Sequence, residues 1–206
     1  MKYIVFSAFI LGIIACKQKY LSYKEALINC EENKVTLPME NESLGIKTSV
    51  DRFSESCIEG YLLPDFELKS IDGAIITADS LKGKLSIINF WFQTCAPCIA
   101  EMPGLNHLKE KYGTASINYM AISTDSEKDV REFLTRKAFN FTHISNGEAI
   151  YRDTFKSKWG FPFTIITSQD NTILKAFGGG ATDSTAVQKI INQIEPVLLQ
   201  EKVKPL

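Results

Sequence analysis

Asn89-Phe90-Trp91-Phe92-Gln93-Thr94-Cys95-Ala96-Pro97-Cys98-Ile99-Ala100-Glu101-Met102-Pro103 is the stretch from which the rest of the chain is read. It opens with apolar and aromatic side chains, as the end of a buried strand does. It then passes through a Cys-x-x-Cys and continues with helix-like spacing. Two cysteines placed where a strand gives way to a helix are the layout of a dithiol redox centre. Pro97 suits a first helical turn, where its missing N–H costs nothing. The i, i+3 relation brings both sulfurs to one side of the helix, within reach of one another. The helix N-terminus offers partial positive charge and unpaired N–H groups to a thiolate. These effects favour ionisation of Cys95, expected to be the more exposed sulfur and the attacking nucleophile, with Cys98 as the resolving thiol. Glu101, three residues after Cys98 on the same face, is a candidate to take and return the Cys98 proton; the alternative is a solvated helix carboxylate. Half of a zinc site is the competing reading of the cysteines. It lacks a second Cys-x-x-Cys, and only His107 and His143 are at hand.

Outward from this stretch the pattern is that of a small mixed α/β sheet. Leu85 to Phe92 reads as a central strand, and Ala96 to Tyr112 as a helix kinked at Pro103 and stopped by Gly113. Ile117 to Ser123 reads as a second parallel strand. A helix capped by Asp125 or Ser126 runs to about Lys137, and Phe141 to Ile144 is a short strand. A helix is expected from Gly147 to about Lys156, followed by the loop Trp159-Gly160-Phe161-Pro162. Phe163 to Thr167 and Thr172 to Phe177 form two strands about a turn at Gln169-Asp170-Asn171. Gly178-Gly179-Gly180 is a break, and a last amphipathic helix starts at Asp183 or Ser184 and reaches roughly Glu195. Upstream, Leu63 to Leu68 and Ala74 to Thr77 read as an N-terminal hairpin around Ser70-Ile71-Asp72-Gly73.

A chain of 206 residues holds one good core plus an appendage, and a net charge of −1 gives no electrostatic case for nucleic acid. The first residues differ in character. Lys2 precedes the apolar run Tyr3 to Ala15, too short for a comfortable membrane span and fitting the apolar part of a signal peptide. The ending Ile13-Ile14-Ala15-Cys16 resembles the lipobox of bacterial lipoproteins. That resemblance implies cleavage before Cys16 and lipid on its thiol, which would tether the domain to a membrane face; the alternatives are a core strand or a short uncleaved anchor. The organisation expected is therefore a signal peptide at 1–15, a polar segment at 16–59 and a catalytic domain at 60–206. Within the polar segment, Ser22 is placed to cap a short helix through Ile28, and the remainder shows no clear period. Without Cys16, four cysteines remain. Cys95 and Cys98 pair by proximity, which leaves Cys30 and Cys57 for a structural disulfide; a second redox pair or a resolving cysteine is the alternative.

The string Asn-Phe-Trp, Cys-x-Pro-Cys and Glu-Met-Pro from Asn89 to Pro103, together with Gly160-Phe161-Pro162-Phe163-Thr164, resembles the extracytoplasmic thioredoxin-like proteins of the TlpA/ResA type. The resemblance covers about residues 60 to 200. It implies a thioredoxin-like fold, a central mixed sheet flanked by helices. It also implies thiol–disulfide exchange with envelope proteins as a membrane-tethered reductant, recharged by an upstream thiol protein and needing no cofactor. It supports an active-site role for Glu101 and places a cis proline, Pro162, facing the cysteines, where the Phe161 backbone would pair with an extended substrate. Asn89 stands where thioredoxin itself has an acid, which raises the importance of Glu101. Thr94, before Cys95, replaces the aromatic residue usual in relatives and makes a smaller, more polar rim. Trp91 and Trp159 are read as packing residues near the site.

Three other readings compete. A peroxidase needs Thr three positions before its reactive cysteine, and Phe92 stands there. A copper chaperone on the same fold spaces its cysteines more widely and uses a later histidine, for which His143 is the candidate. A non-catalytic scaffold would hold the cysteines as a static disulfide.

Overall fold

The computed structural model describes residues 21–41 and 46–206; the expected signal peptide and the lipid-bearing Cys16 lie outside them. The central sheet has five strands in the order β7-β6-β5-β8-β9. Its middle strand is β5 (Leu85–Trp91), every residue of which is buried. Parallel to it run β6 (Ile117–Ser123) and, beyond that, β7 (Thr142–Ile144). On its other side β8 (Phe163–Thr167) and β9 (Ile173–Gly178) are antiparallel. A strand covered on both faces has no polar side, which is why β5 reads as a continuous apolar run rather than an alternating one.

Two helices matter most for the site. α2 (Ala96–Tyr112) starts directly after β5 and carries Pro103 inside it. α4 (Ala186–Gln200) packs against α2 and runs a full turn further than its sequence suggests, with Pro196 inside it. Their approach is close at Gly104. A Cβ there would overlap the Ile190 side chain and stand 2.9 Å from the Val187 carbonyl oxygen. α3 (Glu127–Arg136) is capped by Ser126, whose hydroxyl accepts from the Asp129 N–H at 3.2 Å.

The segment before residue 60 is more structured than its composition suggests. α1 (Tyr23–Glu32) begins at a capping box in which Ser22 and Glu25 satisfy each other's backbone N–H. Two strands where no period is visible, β1 (Val35–Asn41) and β2 (Ile46–Arg52), pair antiparallel. Pro38 sits in β1, a place open to proline because a two-stranded ribbon has only edges. Tyr23, Ala26, Cys30 and Cys57 share one buried cluster with Phe90, Phe155 and Phe163. The Tyr23 hydroxyl donates to the Phe155 carbonyl at 2.9 Å, and Cys30 is joined to Cys57 by a disulfide. The hairpin downstream is shorter than expected, β3 (Glu67–Lys69) with β4 (Ile75–Thr77). The helix expected at 147–156 is a π-helical turn at Ile150–Thr154. Among the described residues no helix is long and apolar enough to cross a membrane.

Candidate active site

Cys95 is the N-cap of α2. Its backbone is extended, and the Cys98 N–H points back at its sulfur at 3.3 Å. Cys98, one turn in, is disulfide-bonded to Cys95, with the two Cα atoms 5.2 Å apart. Both residues are buried, Cys95 with 4% and Cys98 with 1% of its surface accessible, so the expected difference in exposure is small in this oxidised state. On reduction, the same Cys98 N–H and the helix terminus would face a Cys95 thiolate.

The turn leading into Cys95 is held from the side. The Gln93 N–H donates to Asp125 Oδ2 at 2.7 Å, and the same oxygen accepts from the Ser123 hydroxyl at 2.7 Å. Asp125 therefore ties the active-site turn to the end of β6 and leaves the α3 cap to Ser126. Thr94 and Ala96 are exposed on this rim, while Phe92 meets Phe161 edge-on at 5.3 Å.

Beneath the cysteines lies a buried polar group. Glu101 has only 3% of its surface accessible. Asn89 Nδ2 donates to Glu101 Oε1 at 2.9 Å and to the Thr164 hydroxyl at 3.0 Å, joining α2, β5 and β8. Burial pushes the Glu101 carboxyl from 4.5 up to about 8; the Asn89 hydrogen bond and the charge of Lys189 pull it part of the way back. Sequence spacing puts Glu101 on the face of the cysteines but misses Asn89 as its donor. It also misses Thr164 and Lys189, since neither lies near it in the chain.

The Phe161–Pro162 peptide bond is cis. Phe161 stacks on Tyr151 with centroids 4.4 Å apart, and the Tyr151 hydroxyl donates to the Trp159 carbonyl and, at 3.3 Å, to that of Gly160. Trp159 stacks on Phe163 and donates its indole N–H to the Phe53 carbonyl at 3.1 Å, so this loop also rests on the N-terminal segment. Gly178-Gly179-Gly180, read from sequence as a break, is a wall of the site. The Gly179 N–H donates to the Pro162 carbonyl at 2.9 Å. A Cβ on Gly180 would stand 3.0 Å from Pro97 Cβ and 3.3 Å from Pro162 Cγ.

His143 is buried in an aromatic cluster with Trp91 and Phe139, its Nε2 on the Phe139 carbonyl at 2.7 Å; burial lowers its pKa. His107 is exposed. Among the described residues no three His, Cys, Asp or Glu side chains are grouped to hold a metal ion.

Comparison with known proteins covers this same region. A sequence profile described as the AhpC/TSA family matches residues 60–194. A thiol-disulfide oxidoreductase ResA from Oceanobacillus iheyensis is 35% identical over 144 residues, spanning 66% of this chain and 73% of its own. The thioredoxin-like protein YneN from Bacillus subtilis is 29% identical over 136 residues, 64% of this chain and 78% of its own. A secreted disulfide oxidoreductase from Mycobacterium tuberculosis superposes with a TM-score of 0.53 at 18% identity, covering 64% of this chain and 95% of that one. The fold is thioredoxin-like, a central mixed sheet flanked by helices.

Proposed function

The chain belongs to the AhpC/TSA family, and from that premise we propose that it is a thiol–disulfide oxidoreductase working through Cys95 and Cys98. The observation that carries this is the Cys95–Cys98 disulfide at the start of α2, above a buried carboxyl and beside the Phe161–Pro162 wall. In the reducing direction the Cys95 thiolate attacks one sulfur of a substrate disulfide and the other sulfur leaves as a thiolate. The Cys98 thiol then gives its proton to Glu101 in its carboxylate form, the minor form below its raised midpoint of about 8, and attacks Cys95. The Cys95–Cys98 bond forms, the mixed disulfide breaks, and two electrons have passed to the substrate. Glu101 ends this step protonated, the state that its buried position favours in the oxidised protein. The exposed Thr94 and Ala96 and the Phe161 backbone are the surface against which an extended substrate segment would lie.

The reducing direction, protein substrates in the bacterial cell envelope and an upstream thiol donor rest on the resemblance to TlpA/ResA-type proteins. The lipid tether rests on residues 1–16, and Cys30–Cys57 acts as a structural cross-link. The family also prompts a peroxidase reading, but Phe92 holds the position where that chemistry needs Thr and is packed on Phe161.

Reduced protein is expected to accelerate insulin reduction, and Cys95→Ser to abolish the effect; full activity in that variant would overturn the nucleophile assignment. Cys98→Ser is expected to accumulate mixed disulfides on Cys95 in cells, and their absence would favour a scaffold.

A further inference from the structure

Residues 156–162, which lead into the Phe161–Pro162 wall, belong to no helix or strand, so no ladder of backbone hydrogen bonds fixes them. Tyr151 meets this loop at four residues. Its carbonyl accepts from the Ser157 N–H at 3.0 Å. Its hydroxyl donates to the Trp159 carbonyl and, at 3.3 Å, to the Gly160 carbonyl. Its ring stacks on Phe161 with the centroids 4.4 Å apart. Carbonyl oxygens only accept, so the clasp needs the phenol to keep its proton, and burial raises its pKa in that direction. Tyr151 is itself firmly seated. It is buried, its N–H donates to the Gly147 carbonyl at 2.9 Å, and its ring packs on Phe90 of β5 at 5.4 Å. Gly147 abuts the end of β6: its N–H donates to the Ser123 carbonyl at 2.7 Å, and a Cβ there would overlap the Ile122 side chain. Tyr151 thus joins the wall to β5 and to the end of β6, the same two places from which the turn before Cys95 is held.

We propose that Tyr151 is a positioning residue for polypeptide substrates: by clasping Trp159, Gly160 and Phe161 it holds the Phe161 backbone in place to pair with an extended segment whose disulfide meets Cys95. This deepens the oxidoreductase reading above and rests on it. The hydrogen bonds and ring contacts of Tyr151 go to the loop, to Phe90 and to its own π-helical turn, so its effect falls on docking. A polypeptide that must pair with Phe161 loses affinity when the loop has to be ordered on binding. A small disulfide that reaches Cys95 without lying along the wall gains nothing from the clasp. Removing the hydroxyl alone leaves the ring stack and the bond from the Trp159 indole N–H to the Phe53 carbonyl, so the loop is loosened rather than lost.

The test compares wild type and Tyr151→Phe as full chains, below the melting temperature of both. Reduction of insulin and of dithiobis(nitrobenzoate), a small disulfide, is measured over a range of substrate concentrations. Amide hydrogen exchange at Gly160 and Phe161 is followed by NMR in the absence of substrate. Tyr151→Phe is expected to raise KM for insulin about three- to tenfold, the range set by losing one ordinary hydrogen bond, with kcat unchanged. Its rate with the small disulfide should stay within about twofold of wild type. The Gly160 and Phe161 amides should exchange faster, the mark of a loop that opens more often. An unchanged KM for insulin overturns the proposal, as do unchanged loop amides. Equal slowing toward both substrates also overturns it, since the hydroxyl would then act on the cysteines rather than on docking. If wild type reduces neither substrate, the oxidoreductase reading falls and the docking role with it, while the amide exchange still reports whether the clasp holds the loop.

Discussion

Glu101→Gln separates the buried acid from everything else that titrates. The substitution keeps the shape of the side chain and an oxygen to accept from Asn89 Nδ2, but removes the ionisation. Folded Glu101 holds its proton up to about pH 8, whereas in the unfolded chain it loses it near 4.5. Between those values the native state binds the extra proton, so raising the pH favours unfolding. The stabilising contribution is full below pH 4.5 and is lost as pH rises through 8. Converted at about 1.36 kcal/mol per pH unit, the whole window is on the order of 5 kcal/mol, of which about 4 kcal/mol falls between pH 5 and 8.5. For a chain of this length that corresponds to about 8–15 °C in melting temperature. The assay is thermal unfolding of oxidised wild type and Glu101→Gln at matched pH values. All other groups titrate alike in both proteins and cancel in the difference. Wild type is expected to lose ground steadily against the variant from pH 5 to 8.5. Parallel melting curves across that range would show that Glu101 is solvated in the folded protein, and would remove the basis for its role in proton transfer.

Two further expectations concern packing and cross-linking. Gly104→Ala should cost about 1–3 kcal/mol in urea unfolding by forcing α4 away from α2; no loss would mean that the helices are not in tight contact there. Replacing Cys30 and Cys57 together by Ala opens a link across a sequence separation of 27 and should cost about 3.5 kcal/mol on the chain-entropy model, while insulin reduction by Cys95 and Cys98 persists below the lowered melting point; loss of exchange in the folded variant would show instead that the pair takes part in the chemistry.

The elements nearest the cysteines were readable because local pattern and tertiary environment agree there. Leu85–Trp91 is apolar throughout since both faces of β5 are covered, and Ala96–Tyr112 begins at a cysteine cap with proline in its first turn. The β1–β2 pair was not readable. Its described side chains are mostly exposed, so no buried face imposes alternation among them, and Pro38 argues against a strand unless both edges are known to be free. The π-helical turn at Ile150–Thr154 has a helix-like pattern whose hydrogen-bond spacing no residue preference specifies.

The sequence by itself determined the chemistry of this protein: two thiols three positions apart where a strand meets a helix, with a carboxyl one turn on. These relations are local, set by 3.6 residues per turn and by the place of Pro97. Only the tertiary structure decided how that chemistry is tuned. Glu101 is an ordinary helix carboxylate until β5 supplies Asn89, β8 supplies Thr164 and α4 supplies Lys189. Gly180 is an ordinary glycine until Pro97 and Pro162 close on it. Desolvation depends on which distant segments pack around a group, and that packing is a property of the whole chain.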